Sequence, residues 1–232
     1  MKKITLLLSI VTLIFSSCGV PHYARQSERG EPITESLFNE KDRTLSEENI
    51  QKLLDGKLNL PDTLRIALFR YGMTNRYYTK MRGFQDETSV KSYQSYIDTL
   101  VSSLKDNRRV KNVHPIPTIM LSNSPTITQL RETSVRLLSD LLIVYSNTSD
   151  IYYKWKIFKK DEAKAFATTE ILIMDIRTGL IPFSTTITKD FLTKTMKDET
   201  IDEARKRAEK EAIVLTLVEA GQRLNGFLLG YK

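Results

Sequence analysis

Cys18 is the one residue here whose chemistry stands out, because it is the only cysteine in 232 residues. Its sulfur is a nucleophile, and its position says what that nucleophile is for. Met1-Lys2-Lys3 is a short positive start. Ile4 to Phe15 is apolar apart from Thr5, Ser9 and Thr12, and Ser16-Ser17 are small. That order is a secretory signal peptide. Its apolar run is about 12 residues, short of the roughly 20 that cross a hydrocarbon core.

The other groups able to do chemistry are sparse. His22 and His114 are the only histidines. A hydrolase would use His114 as base and would need a serine on a sharp elbow, yet no Gly-x-Ser-x-Gly occurs. Asp140 and Ser146 lie near strand ends, where polar residues turn the chain. Asp161-Glu162 and Asp198-Glu199 read as surface or helix-start acids rather than metal ligands. The nine glycines are scattered singly, so no loop cradles a phosphate. The expectation is no catalytic residue, no metal and no cofactor.

Aromatic and basic residues cluster in two places. Tyr77 and Tyr78 follow an early strand with Arg76 and Lys80. Tyr152, Tyr153, Trp155 and Phe158 interleave with Lys154, Lys156, Lys159 and Lys160. Tyr, Trp and Arg are the usual anchors of protein interfaces. The candidate partner-binding residues are therefore Tyr77, Tyr78, Tyr152, Tyr153, Trp155 and Lys156, while a share of these rings would complete the core instead.

Positioning them requires a folded domain. Residues 18–60 read as a polar, flexible tether ending in a short helix capped by Ser46, and residues 61–232 as the domain. Leu64 to Tyr71 is a buried strand stopping at Gly72. Val90, Tyr93, Ile97, Leu100, Val101 and Leu104 line one helix face. Val110–Ile116 is a short strand broken by Pro115 and Pro117. Ser124-Pro125 opens a second helix, which Leu138 closes. Leu141–Tyr145 reads as a central strand, 151–158 as a separate half-exposed one, and Ala165–Ile176 as a third. The turn Asp175-Ile176-Arg177-Thr178-Gly179 leads to a partner strand over Leu180–Thr188. A long Ala-rich helix from about 200 to 225, capped by Gly226, closes the chain. The sum is an α/β (α+β) fold: a single mixed parallel/antiparallel sheet with about three main helices packed against it.

Two resemblances follow. Phe15-Ser16-Ser17-Cys18 resembles a bacterial lipobox, with Phe where Leu is commoner. It implies cleavage after residue 17, so that 1–17 is the signal peptide, and acylation of Cys18, palmitate among the acyl chains. Leu60-Pro61 before Leu64-Arg65-Ile66-Ala67, the run Leu137 to Tyr145, the Asp175–Gly179 turn and the closing helix resemble envelope lipoproteins of the curli-secretion and penicillin-binding-protein-activator type, and rhombotarget lipoproteins. This second resemblance covers about 60–225. It implies a non-catalytic domain that binds a partner protein or assembles with itself.

Composition agrees. The formal charge is +7, and about +5 once Lys2 and Lys3 leave. That excess suits an anionic surface, and a secretion signal excludes nucleic acid as a partner. No other run reads as a membrane span. With Cys18 acylated, no disulfide is available. Gly19-Val20-Pro21 carries no acidic cluster, which favours a periplasm-facing place at the outer membrane. The reading is a lipid-anchored accessory factor of the cell envelope. The alternatives are an envelope-polymer hydrolase or a glycan-binding protein and, last, a pore subunit, for which the hairpins of 148–188 would have to carry four lysines into the bilayer.

Overall fold

The computed structural model describes residues 24–25, 47–72, 87–122, 125–154 and 160–231. Five strands form one sheet in the order β3-β2-β4-β5-β6. They are β2 (Leu64–Arg70), β3 (Val110–Pro115), β4 (Leu141–Lys154), β5 (Glu162–Asp175) and β6 (Phe183–Lys194). β2 runs parallel to both β3 and β4, whereas β4, β5 and β6 are successively antiparallel. A two-residue strand, β1 (Ala24–Arg25), pairs antiparallel with the far end of β4. The helices are α1 (Glu47–Leu54), α2 (Glu87–Lys105), α3 (Ile127–Arg136) and α4 (Ile201–Gly230). The mixed sheet with three main helices is the α/β architecture that the alternation of elements implied.

The sheet is buried on two faces where it is widest. Leu64, Ile66, Leu68, Leu141, Ile143 and Tyr145 share one core with Leu100 and Leu104 of α2 and Leu217 and Leu224 of α4. Ala67, Phe69, Leu142 and Val144 share the other with Leu130 of α3. This two-sided burial is why β2 and the start of β4 read as unbroken apolar runs. Each large aliphatic side chain so buried contributes roughly 1.5–3 kcal/mol. Helices α2 and α4 meet at Gly221, where an added Cβ would stand 2.4 Å from Ser103 Cβ. No side chain fits that crossing unless a helix moves.

Several boundaries differ from the sequence reading, β6 for example running on to Lys194 instead of stopping at Thr188, and four differences matter most. First, Leu141–Tyr145 and 151–154 are one strand. The run Ser146-Asn147-Thr148-Ser149-Asp150 looks like a break because its side chains compete for backbone hydrogen bonds. Here Asn147 and Ser149 bond elsewhere. Asn147 Nδ2 donates to Thr169 Oγ1 at 2.6 Å, and the Thr169 and Thr216 hydroxyls lie 2.5 Å apart. Thr216 donates in turn to the Ile213 carbonyl at 2.6 Å. Ser149 donates to Glu209 at 2.5 Å. Second, α3 is capped by Thr126, in a reciprocal capping box with Gln129; Ser124 lies outside the described residues. Third, α4 runs through Gly226 to Gly230. Fourth, the expected tether contributes β1, so residues 24–25 belong to the sheet.

α4 also corrects the expectation of no further span. By length and composition it could cross a membrane. Ala204, Ala208, Ala212, Leu217, Leu224 and Leu228 are fully buried in the core, which accounts for its apolar character. At its C-terminal end, Arg109 gathers carbonyls. Its Nη1 donates to Leu228 O at 2.8 Å and to Tyr231 O, and its Nη2 donates to Pro61 O at 3.0 Å. A guanidinium there complements the negative end of the helix dipole.

Candidate docking face

Past Tyr145, β2 no longer accompanies β4, whose β2-facing edge regains a described strand only at β1. β4, β5 and β6 continue as a three-stranded extension. Alternation gives that extension two unlike faces. Odd-numbered Ala163, Ala165 and Ala167 are buried in the same core as Ala204, Ala208 and Ala212 of α4. Even-numbered residues point the other way, and α3 contacts β4 only near its start. Among the described residues no helix covers this second face.

The open face is built from three side-chain rows. β4 contributes Ser146, Thr148 and Tyr152; β5 contributes Glu170, Thr168, Phe166 and Lys164; β6 contributes Thr186, Thr188, Asp190 and Leu192. Phe166 is 38% exposed and Leu192 58%. The Tyr152 and Phe166 rings meet edge to face, with centroids 5.7 Å apart and planes at 88°. Lys164 Nζ lies 4.6 Å from the Phe166 ring centre and 2.9 Å from Asp190 Oδ2. The Thr168 and Thr188 hydroxyls lie 2.9 Å apart, and Ser146 donates to Glu170 at 3.4 Å. Internal bonds thus hold the polar groups in place, while apolar surface stays open.

Of the residues singled out in the sequence, Tyr152 lies on this face. Tyr153 lies on the opposite one, under the Arg205 guanidinium of α4 at 5.2 Å. The strand places adjacent tyrosines on opposite faces, so they do not form one surface. Cys18, His22, Tyr77, Tyr78, Trp155 and Lys156 lie outside the described residues. Phe166, Lys164 and Leu192 were not singled out. Their signal was the alternation Ala163-Lys164-Ala165-Phe166-Ala167, small against large at period two.

The arrangement that a hydrolase with His114 as base needs is not formed by the described residues. His114 is exposed on the sheet's edge strand β3, not buried beside a carboxylate. Asp140 is 2% exposed but committed elsewhere. It accepts bonds from Arg65 N, Nε and Nη2 at 3.0 Å each and from Arg177 Nη2 at 2.8 Å. Burial would push its carboxyl up, but the Arg65 and Arg177 hydrogen bonds outweigh that and hold it down to about 2. Asp140 pins the start of β4 to β2 and to the β5–β6 turn. Asp175 organises that turn by accepting bonds from Arg177 N and from Thr178 N and Oγ1. Among the described residues no group of three or more His, Cys, Asp or Glu converges to hold a metal ion.

Comparison with known proteins yields neighbours in shape only. No family model matches the chain, and no curated protein matches it. A neuraminyllactose-binding hemagglutinin homolog from Helicobacter pylori is 10% identical, with a TM-score of 0.40, covering 75% of this chain and 89% of its own. A minor lipoprotein from Acinetobacter baumannii is 12% identical, with a TM-score of 0.37, covering 71% of this chain and 94% of its own. The PelC dodecamer from Paraburkholderia phytofirmans is 10% identical, with a TM-score of 0.33, covering 68% and 88%. Likenesses this distant carry no argument about family, ligand or assembly.

Proposed function

We propose that this chain is a lipid-anchored envelope protein, held by acylated Cys18 on the periplasmic face of the outer membrane, that docks a partner protein without catalysis. In kind it is an accessory or assembly factor like the curli-secretion and penicillin-binding-protein-activator lipoproteins. The observation that supports it is the even-numbered face of β4-β5-β6, which no described helix covers and where Phe166 and Leu192 stay exposed among internally bonded polar side chains. That mixture of an apolar centre and a satisfied polar surround is how protein interfaces are built. A glycan platform fits less well, because the Tyr152 and Phe166 rings stand perpendicular and offer no shared flat surface to a sugar.

The test is photocrosslinking in intact cells from a photoreactive residue at Phe166. One dominant adduct with another envelope protein is the expected result. A ladder of self-adducts would replace the partner with a second copy of this chain, and adducts only with glycan would overturn protein docking. Separately, Cys18→Ser is expected to lose membrane fractionation. Retention of that variant in the membrane pellet would remove the lipid anchor from this reading.

A further inference from the structure

The proposed docking face ends at β6, which is an edge of the sheet. One hydrogen bond tells which of its backbone groups face outward. Thr195 N donates to Asp161 O at 2.9 Å, in the same register that sets Lys194 opposite Glu162. Opposed residues of an antiparallel pair alternate between those that exchange N–H···O bonds and those that do not. The register runs on without a shift, so odd-numbered residues of β6 bond to β5, and even-numbered ones turn their N–H and C=O to the outer edge. These are Ser184, Thr186, Thr188, Asp190 and Leu192, all exposed. Among the described residues no strand pairs with them. The open row is roughly 27 Å long. It closes at Lys194, whose carbonyl accepts from Arg207 Nη2 at 3.0 Å.

Such a row is a template for another strand, and proteins blunt it with proline, bulges or free charges. Between Phe183 and Lys194 there is no proline and no bulge. The two charges in mid-strand are tied down: Lys189 Nζ lies 2.5 Å from Glu219 of α4, and Asp190 pairs with Lys164. The even-numbered residues also carry the third side-chain row of the open face, so edge and face are one surface. On the other side of the edge, α4 leans over β6. Arg223 Nη1 donates to Thr185 Oγ1 at 2.7 Å, and Leu215, one turn before Glu219, is exposed. A strand added here has apolar side chains to meet on both sides, Leu192 on one and Leu215 on the other.

We propose that the partner docks by adding an extended segment of its own to the outer edge of β6, uncharged beside residues 186–190 and apolar beside Leu192. This rests on the docking reading and adds to it the form that the partner takes. Main-chain bonds to the even-numbered residues hold the segment, and its alternate side chains reach the face that carries Phe166. A second copy of β6 fits less well. Paired antiparallel along the whole open row, it sets Ser184 opposite Leu192 and leaves that side chain without an apolar neighbour.

Proline is the probe, because at an even-numbered position of β6 it removes an N–H that β5 does not use. The full protein carries a photoreactive residue at Phe166 in intact cells, combined with Thr188→Pro or with Thr188→Val, which keeps the amide and loses only the hydroxyl. The expected result is about a tenfold fall in partner adduct for Thr188→Pro and little change for Thr188→Val, with both accumulating at the wild-type level. Undiminished capture by a folded Thr188→Pro variant overturns strand addition and leaves the docking face standing. Equal falls in both variants trace the loss to the hydroxyl and overturn it too. Absence of any protein adduct from the wild type overturns the docking reading as well. Where proline unfolds the domain, photoreactive residues placed singly at Thr188 and Lys189 decide. A strand in the edge touches both sides and is captured from both positions; capture from Thr188 alone puts the partner on the face only and overturns the proposal. Self-adducts from these positions overturn it in favour of a second copy.

Discussion

The two faces of the β4-β5-β6 extension are made by alternating residues of the same three strands, yet one is closed and the other open. On the odd side, Ala163, Ala165 and Ala167 share a core with Ala204, Ala208 and Ala212, so strand and helix backbones approach with only methyl groups between them. On the even side, Phe166 and Leu192 stand next to paired Lys164 and Asp190 with no helix over them among the described residues. Small side chains fix the position of α4; large ones are left for something else to cover. Stability and recognition are separated at a period of two.

The largest effect expected from breaking this contrast lies on the closed side. Ala208→Leu puts three extra carbons into a fully buried site and should cost about 1–3 kcal/mol, read as a lower urea midpoint with an unchanged slope. An unchanged midpoint would mean that the alanine contact has slack. Asp140→Asn comes next, at about 2 kcal/mol, because two arginines lose their buried charge partner. The same residue makes a pH prediction. Its carboxyl titrates near 2 when folded and near 3.8 otherwise, so the unfolded state takes up the proton first. Its contribution is present above pH 3.8 and is lost as pH falls toward 2. Acid titration of wild type and variant should therefore diverge above that window and converge within it; parallel curves would show that the ion pairs contribute nothing. The smallest stability effect belongs to the open side. Phe166→Ala should stay within about 0.5 kcal/mol of wild type while partner capture falls. A large loss of stability there would show that the face is part of the fold and not a docking surface.

The fold was legible because its core elements obey simple periods. β2 and the first half of β4 are apolar on both faces, α2 carries a clean stripe, and Gly179 sits in the positive-φ position that its turn requires, at 77°. What escaped was the far half of β4. Polar residues there signal a break unless their partners are known, and those partners, Thr169 for Asn147 and Glu209 for Ser149, are 22 and 60 residues away. The docking face escaped for a related reason. Tyr152 and Tyr153 look like one aromatic patch in sequence, and only the pleat of a continuous strand reveals that they face apart. Capping erred by two residues at the start of α3, where Thr126 with Gln129 satisfies two orphan amides at once, which no single serine can do, and by five at the end of α4, whose cap is Tyr231 and not Gly226.

Arg109 has a consequence for timing. Its guanidinium ties the residues just before β2 to carbonyls at the end of α4, contacts that bridge 48 residues in one direction and 119 in the other. The central strand therefore has its N-terminal approach clamped only after the last helix exists. A chain made from its N-terminus onward cannot close this clasp until residue 228 has emerged, so the approach to β2 stays unclamped until α4 has been made. On the proposed reading, in which the polypeptide is threaded across a membrane before it folds, late closure keeps the chain soft for as long as it has to travel.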